Sequence, residues 1–181
     1  MNIVDDRLAE AHQVESPNFD DRPDNGIDLI VVHNISLPAG HFGTRYVEQL
    51  FLNCLATNDH PDFQDLSELR VSSHLLIRRN GDIIQFVPFD KRAWHAGESN
   101  YKGRDRCNDF SIGIELEGTD DSGYCDVQYR RLAEVCAALS DEYGIGAGDI
   151  VGHCDIAPGR KTDPGQGFDW QRFRNLMGNN G

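Results

Sequence analysis

Apolar positions along the chain fall into runs of two periods. Leu29-Ile30-Val31-Val32-His33 is a continuous β-branched and apolar run, the signature of a strand buried on both faces, with His33 at its end. Ser73-His74-Leu75-Leu76-Ile77-Arg78 and Ile83-Ile84-Gln85-Phe86-Val87 predict two more strands, and Arg79-Asn80-Gly81-Asp82 between them carries the Asn-Gly signal of a hairpin turn. Ser111-Ile112-Gly113-Ile114-Glu115-Leu116 predicts a fourth strand, and Asp149-Ile150-Val151-Gly152 reads as a short fifth. Helical spacing appears elsewhere. Tyr46, Val47, Leu50, Phe51 and Cys54 predict a helix over 45–55. Leu132, Val135, Cys136, Leu139 and Tyr143 form one stripe of a helix that Asp126 can cap. Residues 5–12 suit a short helix, and 168–177 a closing one with Trp170 and Phe173 three apart.

The polar stretches complete the picture. Residues 16–26 and 56–67 read as irregular surface segments, and Pro38-Ala39-Gly40 breaks the chain. Residues 88–106 form a long loop carrying Trp94 and His95, and loops of that length usually line a site. Pro158, Gly159, Pro164 and Gly165 make the segment after Gly152 a loop without room for a helix. The order of elements predicts an α/β fold, a central mixed β-sheet flanked by helices, as one domain over residues 1–181.

A chain of 181 residues supports a core without staples. Its formal net charge of -13 disfavours nucleic acid and anionic membrane as partners, since both select positive surfaces. No apolar run approaches the roughly 20 residues that span a bilayer, and the N-terminus has no basic start followed by an apolar stretch, so a cytoplasmic chain is expected. The 5 cysteines are odd in number and scattered, which fits reduced thiols better than a disulfide framework.

Within the loop after Gly152, His153 and Asp163 offer an imidazole and a carboxylate, both ordinary zinc ligands. A lone histidine at the end of an apolar strand is most simply a core residue. Combined with that loop, His33 supplies a third ligand, and three protein ligands with an open position describe a catalytic zinc. Glu115 admits two readings. It lies with Gly113 and Glu117 on one strand face, so both acids either form a solvated face or, as buried groups, need partners or raised pKa values. A glutamate beside zinc is the usual general base for water. Lys161, two residues before Asp163, is either a surface charge or an oxyanion stabiliser. Arg70 and Arg106 flank the site in sequence and suit carboxylate recognition, and Trp94 offers a flat apolar surface for a sugar or peptide. Cys154 as a nucleophile is disfavoured, because sequence neighbours in extended backbone point apart.

These motifs together resemble the AmpD family of cytosolic 1,6-anhydro-N-acetylmuramyl-L-alanine amidases, within the zinc amidase fold shared with T7-type lysozymes and peptidoglycan recognition proteins. The matching stretches run from Val31 to Pro38, Val71 to Arg79, Val87 to Gly97, Arg106 to Asp120, Gly152 to Pro158 and Arg160 to Gly165. The resemblance implies an N-acetylmuramoyl-L-alanine amidase-like fold and Zn2+ held by His33, His153 and Asp163. It implies Glu115 and Lys161 as the catalytic pair, and Asn34, Arg70, Ala93, Trp94 and Arg106 along the groove for a soluble anhydromuropeptide. It further implies cleavage of the amide between anhydro-N-acetylmuramic acid and L-Ala, in cytoplasmic peptidoglycan recycling, by what is expected to be a monomer. Two alternatives share the fold: a muropeptide-binding module that no longer cuts, and an amidase acting on polymeric peptidoglycan.

Overall fold

A computed structural model of the chain describes residues 1–24, 26–66 and 68–178. The expected mixed sheet is present and has six strands. In chain order they are β1 (His12–Gln13), β2 (Leu29–Ile35), β3 (Leu75–Ile77), β4 (Ile83–Gln85), β5 (Ser111–Glu117) and β6 (Ile150–Gly152). They lie in the order β6-β2-β5-β3-β4-β1. The pairs β6–β2, β2–β5, β5–β3 and β4–β1 are parallel, and only the hairpin β3–β4 is antiparallel. β2, second in that order, is the strand whose sequence reads as buried on both faces, and every residue of its neighbour β5 is buried.

Each face of the sheet has its own cover. Ile30, Val32, Leu75, Ile77, Ile112, Ile114 and Leu116 pack on one side beneath two helices, α2 (Asp126–Tyr143) and α4 (Trp170–Gly178), through Leu132, Val135, Leu139 and Phe173. On the other side Leu76 and Ile84 meet the short α1 (Tyr46–Phe51) through Val47, Leu50 and Phe51. Leu29 and Val31 there meet Ala96, Cys107, Phe110 and Ile156 from loops and short turns. This second face is only partly roofed by helix, and the site opens on it.

Several local expectations are corrected. Residues 5–12 form no helix. Asp5 and Asp6 take positive φ and make a turn between two short paired strands, Ile3–Val4 and Arg7–Leu8. The Leu8 amide then donates to the Gln85 side chain at 2.7 Å, which fixes that ribbon to β4. Asp126 is the first residue of α2 rather than its cap; Cys125 precedes it, with its backbone N–H held by Gln128 Oε1 at 3.1 Å. The segment after Gly152 does hold one helical turn, α3 (His153–Ile156). The turn fits because the first proline comes after it, and the Asp155 carboxylate accepts the Gly152 N–H at 2.7 Å. The polar stretch 16–26 contributes Phe19–Asp21, paired with Lys91–Ala93, and 56–66 forms two 3-10 turns; Asn25 and Ser67 within those stretches lie outside the described residues. The long loop 88–106 contains that Lys91–Ala93 strand and a small ribbon of Asn100–Tyr101 and Arg104–Asp105.

Candidate metal centre and active-site groove

Strand register brings the chemistry together. Paired residues on neighbouring strands project to the same side of a sheet, and His33 of β2 pairs with Glu115 of β5. On the other flank Gly152 of β6 pairs with Val32, so His153 begins α3 directly beside His33. All three residues therefore sit at the carboxyl ends of parallel strands, where ligand sites of open α/β sheets form. Asp163 returns to the same point because the Cys154 N–H donates to its backbone oxygen at 3.0 Å. Gly152 permits that approach: a Cβ there would stand 2.8 Å from the Pro164 ring.

The three side chains point at one another. His33 Nδ1 to His153 Nδ1, His33 Nδ1 to Asp163 Oδ2 and His153 Nδ1 to Asp163 Oδ2 are each 3.0 Å. Both imidazoles are buried, and the three form a group that can hold a metal ion. Tetrahedral zinc with bonds of about 2.0–2.1 Å separates its ligand atoms by about 3.3 Å, within a few tenths of an ångström of this spacing. Proton placement supports the fit. His153 Nε2 faces the Ala96 carbonyl at 3.0 Å, and a carbonyl only accepts. A neutral His153 therefore carries its proton on Nε2 and aims a bare Nδ1 lone pair at the Asp163 carboxylate. Two lone pairs held that close, out of water, call for a cation between them. Burial depresses the His33 pKa to about 4, against the raising effect of the Asp163 carboxylate, which leaves the ring neutral and able to ligate. Burial raises the Asp163 pKa, but the His153 and His33 rings beside it outweigh that and leave the carboxyl ionised.

Glu115 and Glu117 show what the strand pattern left open. Both are buried, so neither lies on a solvated face. Glu117 is fully engaged, accepting from the Gly43 and Arg79 amides at 2.5 and 3.1 Å and facing the Arg78 guanidinium at 3.5 Å. Glu115 has no such support: its Oε2 is buried without a hydrogen-bond partner among the described residues. Burial, reinforced by the Asp163 charge and opposed by Lys161, pushes its pKa well above the ordinary carboxylate value.

A cavity of about 530 Å³ opens over these groups. His33, Glu115, His153, Lys161 and Asp163 all line it, as do Asn34 and Trp94. Asn34 donates to Asp120 Oδ1 at 2.8 Å, and Trp94 Nε1 donates to Asp20 at 3.2 Å, while Arg92 grips Asp20 with two contacts of 2.6 Å. Leu37, Leu50, Phe51, Leu66, Leu69 and Val71 give the cavity an apolar wall. Three of the residues expected along the groove stand elsewhere. Ala93 is fully buried against Val47, Phe51 and Phe86. Arg70 is exposed outside the lining and donates to the Leu69 carbonyl. Arg106 is 71% exposed and ion-paired with Asp109.

Five polar lining residues were not foreseen: Ser72, His95, Asp120, Arg160 and Thr162. Arg160 donates to the Ala96 and Glu98 carbonyls, and Thr162 to Asp120 Oδ2. His95 meets His33 directly, its Nδ1 lying 2.9 Å from His33 Nε2. Its traces in the sequence were the length of the loop that carries it and its place in the stretch Val87 to Gly97.

Comparison with known proteins agrees with this geometry. A family described as N-acetylmuramoyl-L-alanine amidase, Amidase_2, matches residues 22–166. The chain is 59% identical over 171 residues to a 1,6-anhydro-N-acetylmuramyl-L-alanine amidase AmpD of Citrobacter freundii, covering 94% of this chain and 91% of that one. A crystal structure of an AmpD derivative superposes with a TM-score of 0.96 at 57% identity, over 98% of this chain and 99% of that one. The amidase AmiD of E. coli, in complex with the substrate anhydro-N-acetylmuramic acid-L-Ala-D-gamma-Glu-L-Lys, superposes with a TM-score of 0.60 at 31% identity, over 83% of this chain and 57% of that one. The arrangement on the sheet and the extent of these matches lead to one assignment: the chain belongs to the N-acetylmuramoyl-L-alanine amidase family.

Proposed function

We propose that this amidase hydrolyses the amide between the lactyl group of 1,6-anhydro-N-acetylmuramic acid and L-Ala in soluble anhydromuropeptides, as a zinc enzyme of cytoplasmic peptidoglycan recycling. The observation that carries this reading is the convergence of His33 Nδ1, His153 Nδ1 and Asp163 Oδ2 beside the unpartnered Glu115 Oε2. The relatives named AmpD and the AmiD substrate complex support the choice of substrate. Among the described residues no helix is long and apolar enough to cross a membrane.

Zinc would be held by His33, His153 and Asp163, and it would supply Lewis acidity toward a carbonyl oxygen and toward water. The chain's own groups do the rest. Glu115, ionised, accepts a proton from the attacking water at Oε2 and delivers it to the departing L-Ala nitrogen. Its buried setting raises its basicity, and the absence of a competing hydrogen bond leaves the oxygen available. The Lys161 ammonium at the rim makes no hydrogen bond among the described residues and offers its charge to the oxyanion that forms on the attacked carbonyl. Asn34, held by Asp120, lines the cavity and is placed to meet substrate. The Trp94 face and the apolar wall receive the sugar and exclude water. Arg70, between the wall residues Leu69 and Val71, and Arg106, whose charge acts on Asp20, offer guanidinium groups to the peptide carboxylates.

Mass spectrometry of a digest of anhydromuramyl-tripeptide tests the reaction. The account expects free anhydro-N-acetylmuramic acid and intact tripeptide. Cleavage within the peptide, or turnover of intact sacculi with none of the soluble substrate, would overturn it.

A further inference from the structure

His95 is joined to the proposed metal centre by a directed chain of hydrogen bonds. If His33 ligates through Nδ1, its proton sits on Nε2, and that N–H needs an acceptor. His95 Nδ1 lies 2.9 Å away. To accept there, a neutral His95 must carry its own proton on Nε2, which lies 3.3 Å from Ser111 Oγ. Ser111 accepts that proton and donates its hydroxyl hydrogen to the Cys107 carbonyl at 2.6 Å. The carbonyl only accepts, so the chain has a fixed end and a single direction. The next residue of the same segment, Ala96, offers the carbonyl that takes the other ligand's Nε2 proton, at 3.0 Å. One side chain secures both positions: Asn108 Oδ1 accepts the His95 and Ala96 amides at 3.1 and 2.8 Å.

The strand beneath makes room for this ring. Gly113 lies in the middle of β5, where glycine weakens a strand. A Cβ at that position would stand 2.5 Å from His95 Cγ. The gap left by Gly113 is the space His95 occupies, so the position of the ring is built into the sheet.

We infer that His95 is a positioning residue for the metal centre, which holds His33 in the Nε2–H tautomer and aims its Nδ1 at the ion. This rests on the zinc reading above. Outer partners of ligating histidines ordinarily change metal affinity by about 10- to 100-fold. An imidazole in that place, rather than the usual carboxylate or carbonyl, works only because Ser111 and Cys107 set its own tautomer.

The test is competition for zinc against a chromogenic chelator, with wild type, His95→Phe and His95→Asn, beside melting curves of the metal-free proteins. Phenylalanine keeps the ring and removes the acceptor. Asparagine places an amide oxygen close to where Nδ1 stood. The expected result is zinc affinity about 10- to 100-fold weaker in His95→Phe with metal-free melting little changed, and most of the affinity restored in His95→Asn. Equal affinity in His95→Phe and wild type would overturn the inference while leaving the zinc site intact, as would a His95→Asn variant as weak as His95→Phe. A wild-type chain that takes up no zinc would overturn the metal reading itself and this inference with it. A long-range 1H–15N spectrum of the zinc-loaded wild type needs no substitution: protonated His33 Nε2 facing unprotonated His95 Nδ1 is expected, and a proton on His95 Nδ1 would refute the proposal.

Discussion

Glu115 and Glu117 share a strand and a face, yet only Glu117 has its charge answered by amides and a guanidinium. A folded chain that keeps an unanswered carboxylate loses stability for it, and the loss has a pH signature. The Glu115 pKa is raised above its ordinary 4.5, so the folded state binds more protons than the unfolded state above that pH. Its contribution is fully present below about pH 4.5 and is lost as pH rises through the folded value. In the metal-free protein, Glu115→Gln should therefore raise stability at pH 7 by on the order of 1 kcal/mol, about 2–4 °C in melting temperature. That advantage should vanish near pH 4.5. An advantage of Gln over wild type no larger at pH 7 than at pH 4.5 would contradict the assigned burial. The same substitution, and Lys161→Ala separately, should each lower kcat by a factor on the order of 10² or more with zinc still bound. Steady-state kinetics with a zinc content measured on the same sample would show it.

At the scale of single residues the sequence was legible where chemistry left few choices. A histidine closing a β-branched strand reads alone as a core residue, but together with a His–Asp pair in a Gly- and Pro-rich loop it points to a metal, and the fold brings those three to one point. Groove residues were less legible. Whether Ala93 faces a cavity or a core depends on which way a three-residue strand turns, and no periodicity encodes that. His95 lay in a segment without a repeating pattern, so its side-chain direction came only with the tertiary structure.

Among the elements, Arg22 does for the loops what the hydrophobic runs do for the strands. Its buried guanidinium donates to the carbonyls of Phe89, Asn108, Asp109 and Ser111 at 2.9–3.2 Å, tying the loop after β4 to the start of β5. Burial lowers its pKa to about 10, which still leaves it charged at neutral pH. Arg22→Met should cost about 2–4 kcal/mol, the loss of several charged hydrogen bonds partly offset by apolar filling. Chemical denaturation would read this as a lower midpoint at unchanged slope; an unchanged midpoint would mean the carbonyls find other donors. The central strands, the Asn-Gly hairpin and α2 were predictable because their patterns are long and regular. The supposed helix over residues 5–12 failed because Asp5 and Asp6 supply turn conformations that a count of apolar residues ignores. The single turn of α3 was hidden by prolines and glycines that begin only after it ends.

For the molecule as a whole, the two most deeply buried imidazoles give the metal-free form an acid weakness. His33 and His74 have pKa values lowered by burial to about 4 and about 3. Below about pH 6.5 the unfolded chain binds protons that the folded chain refuses, so stability falls as pH falls. Each imidazole contributes up to about 1.4 kcal/mol per pH unit between 6.5 and its folded value. Glu115 opposes this with the other sign over part of the range. Denaturation of the metal-free chain at pH 7, 6 and 5 should show a net decline, and a flat profile would contradict two neutral buried rings. Zinc should remove the His33 share, because an ion on Nδ1 competes with the proton, and leave the His74 share in place.

The claim on which the enzymatic account stands is that a strand, a short helical turn and a loop, with His33 far from the other two in the sequence, hold one ion. Anomalous diffraction at the zinc edge from crystals of the zinc-loaded protein tests it most directly. The account predicts a single strong peak per chain, about 2.0–2.1 Å from His33 Nδ1, His153 Nδ1 and Asp163 Oδ2. A peak held by other side chains, or none between these three, would contradict it.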